Sequence, residues 1–175
     1  MDKSQLRSNV VCAVANKISG IGKTGMMKSM YFLQQVYKVP LGYDFDIYNY
    51  GPYDEDVLVA VDSAKREKLI DVRPKNYNGF MGYEIVAKGD TISELSVYVD
   101  ALDEISQNFG KYHAKDWELA STIVYLYMAY HENGWDMEEL DENVRRIKPH
   151  FALQDIKAER KRLEEIGVLC KAVVI

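Results

Sequence analysis

The stretch Tyr43-Asp44-Phe45-Asp46-Ile47-Tyr48-Asn49-Tyr50-Gly51-Pro52-Tyr53-Asp54-Glu55-Asp56 decides how this chain is read. Tyr43, Phe45 and Ile47 alternate with Asp44, Asp46 and Tyr48, a period of two that predicts a half-buried strand. Gly51 lets the strand turn sharply, and Pro52 then presets the first helical dihedral without wasting a hydrogen-bond donor. Asp54, Glu55 and Asp56 suit the positive end of a helix dipole. A strand running directly into a helix is therefore expected, the helix burying Val57, Leu58, Val61 and Ala64.

Upstream, Leu6, Val10, Ala13, Val14 and Ile18 recur at helical spacing, giving a first helix that stops near Gly20-Ile21-Gly22. Thr24 is placed to cap a second helix with Met26, Met27, Met30, Leu33 and Tyr37 inward, ended by Pro40 and Gly42. Downstream, the third helix gives way at Lys68 to a strand, Leu69 to Arg73. A turn over Lys75-Asn76-Tyr77-Asn78-Gly79 leads to a returning strand through Tyr83, Ile85 and Ala87. Helix, helix, strand, helix, hairpin is the order of a winged helix with its wing turning at Asn78-Gly79.

Beyond Gly89 the pattern is helical. Thr91 and Glu94 read as a capping box ahead of Ile92, Leu95, Val99, Leu102 and Ile105. Asp116 opens a helix carrying Trp117, Ala120, Val124, Tyr127 and Met128 inward. Asp136 with Glu139 starts another, through Leu140, Val144 and Ile147, which Pro149 breaks. A last helix buries Leu153, Ile156, Leu163 and Ile166, and Gly167 yields to a strand over residues 168–175. The expected fold is mainly α with a small antiparallel sheet: a winged-helix-like half over residues 1–89 and a helical half over residues 90–175, in one compact unit. Residues 65–72 and 162–169 both read as a helix end dropping into a strand. The helical half is thus either a second, wingless winged helix or a chain in which this common junction recurs.

Composition excludes several classes. The 175 residues, 47% hydrophobic and 28% charged, suffice for a buried core. No apolar run approaches the roughly 20 residues of a membrane-spanning helix, and the polar start Met1-Asp2-Lys3-Ser4-Gln5 is unlike a secretory signal. Cys12 and Cys170 are expected to be buried free thiols in a reducing cytoplasm. A net charge of −5 argues against unspecific attraction to nucleic acid or anionic lipid.

Catalytic and cofactor motifs fail on spacing. Gly20-Ile21-Gly22-Lys23-Thr24-Gly25 has Lys17 where a phosphate-binding loop needs glycine, and follows a helix rather than a strand. His113, His131 and His150 lie far apart with no cysteine nearby, unlike zinc ligands. Both cysteines sit among valines and alanines, where a thiol stays protonated. Asp136, Glu138, Glu139, Asp141 and Glu142, and the run Lys157, Arg160, Lys161, Arg162, read as solvated helix faces. No catalytic, cofactor or metal residue is assigned.

The tyrosines stand out: of 13, four (Tyr43, Tyr48, Tyr50 and Tyr53) cluster around one strand. Tyr48 and Tyr50 are expected to be exposed, and rigid amphipathic rings suit a protein interface. Lys28-Ser29-Met30-Tyr31-Phe32-Leu33, Asp46-Ile47-Tyr48-Asn49-Tyr50 and Gly51-Pro52-Tyr53 together resemble the YwgA-like proteins of prokaryotes. More distantly they resemble the Panacea (SocA-like antitoxin) domain. The resemblance covers about residues 5–90, with Tyr-Gly-Pro as its most specific step. It implies a binding module linked with toxin neutralisation or adaptor action, and no catalytic residue.

The expected function is a non-enzymatic protein-interaction module, with an unidentified protein partner contacted through Tyr48, Tyr50 and Tyr53; a homodimer is compatible with this. The alternative is a winged-helix DNA-binding regulator using Lys65, Arg66, Arg73 and Lys75, with Lys68 adding charge. Nucleic acid is disfavoured because the would-be recognition helix begins with Asp54, Glu55 and Asp56, which a channel between phosphates repels.

Overall fold

A computed structural model describes residues 1–77, 79–91, 93–134 and 136–174. Helix α1 (Lys3–Lys17) starts where the Asp2 carboxylate accepts from the Gln5 N–H at 2.8 Å, satisfying an otherwise orphaned donor. The expected stripe from Leu6 to Ile18 is buried. Helix α2 (Lys23–Gln35) begins after Gly22 with no side-chain cap, so Thr24 does not have the capping role expected of it.

The stretch over residues 43–56 departs from its sequence reading. Strand β1 (Asp46–Tyr48) does not run into a helix but folds back on strand β2 (Gly51–Tyr53), pairing Asp46 with Tyr53, Ile47 with Pro52 and Tyr48 with Gly51. Gly51, at φ +88°, makes the sharp turn, but it leads into a strand. Pro52 is therefore a strand residue, which a two-stranded hairpin tolerates because its missing N–H disturbs no further neighbour. Helix α3 (Asp56–Arg66) follows, with Val57, Ala60, Val61 and Ala64 inward.

Lys68, at φ +62°, ends α3 and leads into β3 (Ile70–Tyr77), which pairs along its length with β4 (Phe80–Ala87). The strands are longer than expected and the turn is correspondingly tighter. Asn78 lies outside the described residues, while the Gly79 N–H donates to Asn76 Oδ1 at 2.7 Å. The segment between α1 and α2 meets β4: the Ile85 N–H donates to the Ile21 carbonyl at 2.8 Å, beside a single bridge between Gly22 and Glu84.

In the second half a 3-10 segment, Ser93–Tyr98, precedes α4 (Val99–Phe109). Ile92 of the predicted stripe lies outside the described residues. Thr91 and Glu94 form no capping box, because both reach across to α1. The Thr91 hydroxyl donates to the Asn9 carbonyl at 2.7 Å, and Glu94 accepts from the Asn9 amide at 2.5 Å. Helix α5 (Ala114–His131) opens two residues before Asp116, with His113 as cap and Asp116 closing the box. Helix α6 (Met137–Ile147) carries the expected Asp136–Glu139 box.

Helices α7 (Leu153–Glu165) and α8 (Val168–Val173) complete the chain. The strand expected over residues 168–175 is absent from the described part. Gly167 turns at φ +74°, and Val168, Leu169 and Ala172 then bury at helical spacing against α5 and α7. The apparent repeat of residues 65–72 thus ends in a helix, not in a strand.

The structure is mainly helical, with two antiparallel sheets of two strands each. Phe32 from the first half stacks on Phe109 with centroids 4.7 Å apart, and Trp117 packs 5.5 Å from Phe109. Buried residues of both halves belong to one apolar cluster. Among the described residues, no helix is long and apolar enough to cross a membrane.

Two charged residues read as solvated are buried instead. Arg160 of α7 and Asp141 of α6 form a bidentate pair at 2.7 and 2.9 Å, and Arg160 also meets Glu164 at 3.1 Å. Cys12 is buried, and burial raises its thiol pKa, but Cys170 is exposed because α8 turns it away from the core.

Candidate interaction site

The β1–β2 hairpin carries the clustered tyrosines, and its backbone is held from below. Lys28 sits among Met26, Met27 and Met30 on α2, is 2% exposed, and its Nζ donates to the Pro52 carbonyl at 2.5 Å. Lys148, just past the end of α6, donates to the Tyr48 carbonyl at 3.2 Å and to the Asn49 carbonyl. The three acceptors lie in or beside the hairpin turn, so two buried ammonium groups hold its backbone from opposite halves of the sequence. Hydrogen bonds from charged donors are roughly twice as strong as neutral ones.

Glu118 of α5 supplies the counter-charge. Its Oε1 lies 3.0 Å from Lys148 Nζ and 3.3 Å from His150 Nε2, within ion-pair distance but not aligned for hydrogen bonds. The buried Glu118 carboxylate thus pairs with Lys148, and its charge also acts on Lys28. Desolvation, reinforced by the neighbouring charge of Lys148 and opposed by Glu118, lowers the Lys28 pKa to about 8. Gly51 fits close against α5: a Cβ there would meet Ser121 Oγ at 3.0 Å and Thr122 Oγ1 at 3.2 Å.

On this base Tyr48 is 61% and Tyr50 71% exposed. Tyr53 is half-buried, its ring 5.4 Å from that of Tyr48. Tyr50 borders a cavity of about 410 Å³ with Thr24, Ala114, Lys115, Glu118 and His150. The structure therefore brings the three expected tyrosines together on one hairpin. Lys28, Glu118 and Lys148, which hold it, escaped the sequence reading. A lone lysine inside the methionine stripe of α2 was the one available signal.

The basic residues assigned to DNA contact lie in two pairs, one at the end of α3 and one on β3. Lys65 and Arg66 are exposed at the end of α3, with Arg66 bonded to Ser63. Arg73 pairs with Asp71 at 3.2 Å, and Lys75 pairs with Glu84 at 2.8 Å across the β3–β4 ladder. The tip of that ladder is apolar, with Phe80 80% and Met81 71% exposed, a feature the alternation of the strand did not reveal. Among the described residues, no group of three or more His, Cys, Asp or Glu is placed to hold a metal ion. No protein-family model matches the chain, and no significant match is found among curated proteins.

Proposed function

We propose that the chain is a non-enzymatic protein-interaction module, of antitoxin, adaptor or regulatory type, that presents the β1–β2 hairpin to a protein partner. The observation that carries this reading is the exposure of Tyr48 and Tyr50 on a backbone pinned by two buried lysines. Aromatic rings carried on a pre-ordered backbone give contact area without the entropy cost of ordering a loop on binding. The resemblance to YwgA-like and Panacea proteins, which implies a binding module, points the same way; Lys28 and Pro52, which lie in the residues that carry it, are hydrogen-bonded to each other.

A winged-helix topology is part of the same reading. Helices α1, α2 and α3 with β3 and β4 follow its order, and the Gly22–Glu84 bridge stands where its first strand would pair. The hairpin is then an insertion between α2 and α3, where a DNA-binding helix-turn-helix keeps a turn of about three or four residues. Acids at the start of α3 and neutralising partners for Arg73 and Lys75 weigh against docking on a duplex.

The test is capture of host proteins by the intact chain. Tyr48→Ala with Tyr50→Ala should weaken capture by about tenfold or more and leave the melting temperature nearly unchanged. Undiminished capture by this variant would overturn the reading. Nanomolar, salt-sensitive binding to one particular duplex, lost on changing Arg73 and Lys75, would favour the DNA-binding regulator.

A further inference from the structure

The hairpin has an acidic side. Asp44, Asp46 and Tyr48 share the exposed face of the segment leading through β1, and Tyr53 lies opposite Asp46 in register. Tyr125 of α5 extends the strip, its hydroxyl donating to Asp46 Oδ1 at 3.3 Å. Asp54 closes the other end, accepting from the Asp44 N–H at 2.5 Å. Among the described residues, neither Asp44, Asp46 nor Asp54 is in an ion pair; nearby Arg7 is engaged with Asp56 at 3.0 Å and lies over the Tyr43 ring. Both Asp44 and Asp46 raise the pKa of Tyr125, behind burial as the larger cause, which agrees with their closeness.

We infer that this face of the hairpin receives a basic segment of the partner, whose lysines or arginines lie over Tyr48, Tyr53 and Tyr125 between the carboxylates of Asp44, Asp46 and Asp54. Charge complementarity selects this occupant. Cations are attracted both to carboxylates and to aromatic faces, whereas an acidic peptide or a nucleic-acid phosphate meets only repulsion here. Tyr50 takes no part in this strip, because it turns towards Lys115 and His150. The inference rests on the interaction reading above and adds the chemistry of the partner.

Fluorescein-labelled decalysine and decaglutamate are the probes, titrated into the intact chain at low and at physiological salt. Decalysine should bind, decaglutamate should not, and Asp44→Asn with Asp46→Asn should weaken decalysine by about tenfold. Asparagine still accepts from Tyr125 and the backbone, so the fold is kept. Glu138→Gln with Glu165→Gln changes the net charge equally at exposed positions on α6 and α7, outside the strip, and should shift binding less than twofold. Equal losses from the two pairs would reduce the effect to net charge and overturn the inference, as would binding of decaglutamate. Failure of the interaction reading is separately visible: host-protein capture would then survive Tyr48→Ala with Tyr50→Ala, whatever decalysine does.

Discussion

Lys28 Nζ lies 2.5 Å from the carbonyl oxygen of Pro52, so a buried charge in α2 fixes a strand that begins 23 residues later at Gly51. This bond has a measurable titration. Lys28 loses its proton at about pH 8 in the folded chain against an ordinary 10.5. Between those values the unfolded chain binds more protons, so the Lys28 contribution to stability rises with pH, by up to roughly 3 kcal/mol across the window. Urea melts of wild type and Lys28→Met from pH 7.5 to about 9.5 should diverge, the variant lacking the increment. Parallel curves would show that Lys28 is not perturbed.

Above that range the sign reverses. Burial raises the pKa values of Tyr31, Tyr37, Tyr43 and Tyr112 well above the ordinary 10.0. A folded-state pKa raised in this way gives stability that is present below pH 10 and lost as pH climbs beyond it. Tyrosinate absorbance and far-ultraviolet circular dichroism, followed together, should show part of the tyrosine ionisation coinciding with unfolding. Ionisation of every tyrosine with the helices intact would contradict this burial.

Gly51→Val should destabilise the chain on the order of 2–4 kcal/mol, combining strain at positive φ with crowding against α5. Its φ is +88°, and Ser121 Oγ stands 3.0 Å from the position of the new Cβ. Chemical denaturation measures the loss. A variant that melts like wild type would mean that the hairpin is not seated on α5.

Arg160→Met should cost about 3–5 kcal/mol, because it strands the buried Asp141 carboxylate without its partner. Asp141→Leu added to it should restore much of the loss, since a buried pair can be replaced by apolar groups at little net cost. A double-mutant cycle reads the coupling directly. Additive losses would place the two side chains out of contact.

Most helices were legible because their inward faces repeat at helical spacing: Leu6 to Ile18, and Leu95, Leu102 and Ile105, are buried as expected. Asp136 and Glu139 were legible as a cap because the box is local. The hairpin was only half legible. Alternation announced β1, but Gly51-Pro52 suits a strand-to-helix turn and a strand-to-strand turn equally, and carbonyl contacts from Lys28 and Lys148 decide between them. Those contacts span 24 and about 100 residues, beyond any local pattern. For the same reason Arg160 read as a partner of Glu164 one turn away, while its stronger bond crosses to Asp141 on another helix. Residues 168–175 read as a strand, and in the described part tertiary packing against α5 and α7 favours a helix instead.

The hairpin is held from both halves of the chain, by Lys28 and by Lys148, and this makes its order divisible. A fragment ending near residue 89 would keep every tyrosine of the hairpin and lose Lys148, Glu118 and the α5 surface beneath Gly51. Its tyrosines would then have to be ordered at the moment of contact, at about 0.5–1.5 kcal/mol for each immobilised side chain. Under the proposed reading such a fragment would also lose Tyr125 from the binding face, so the second half of the chain contributes both to the surface a partner meets and to its order.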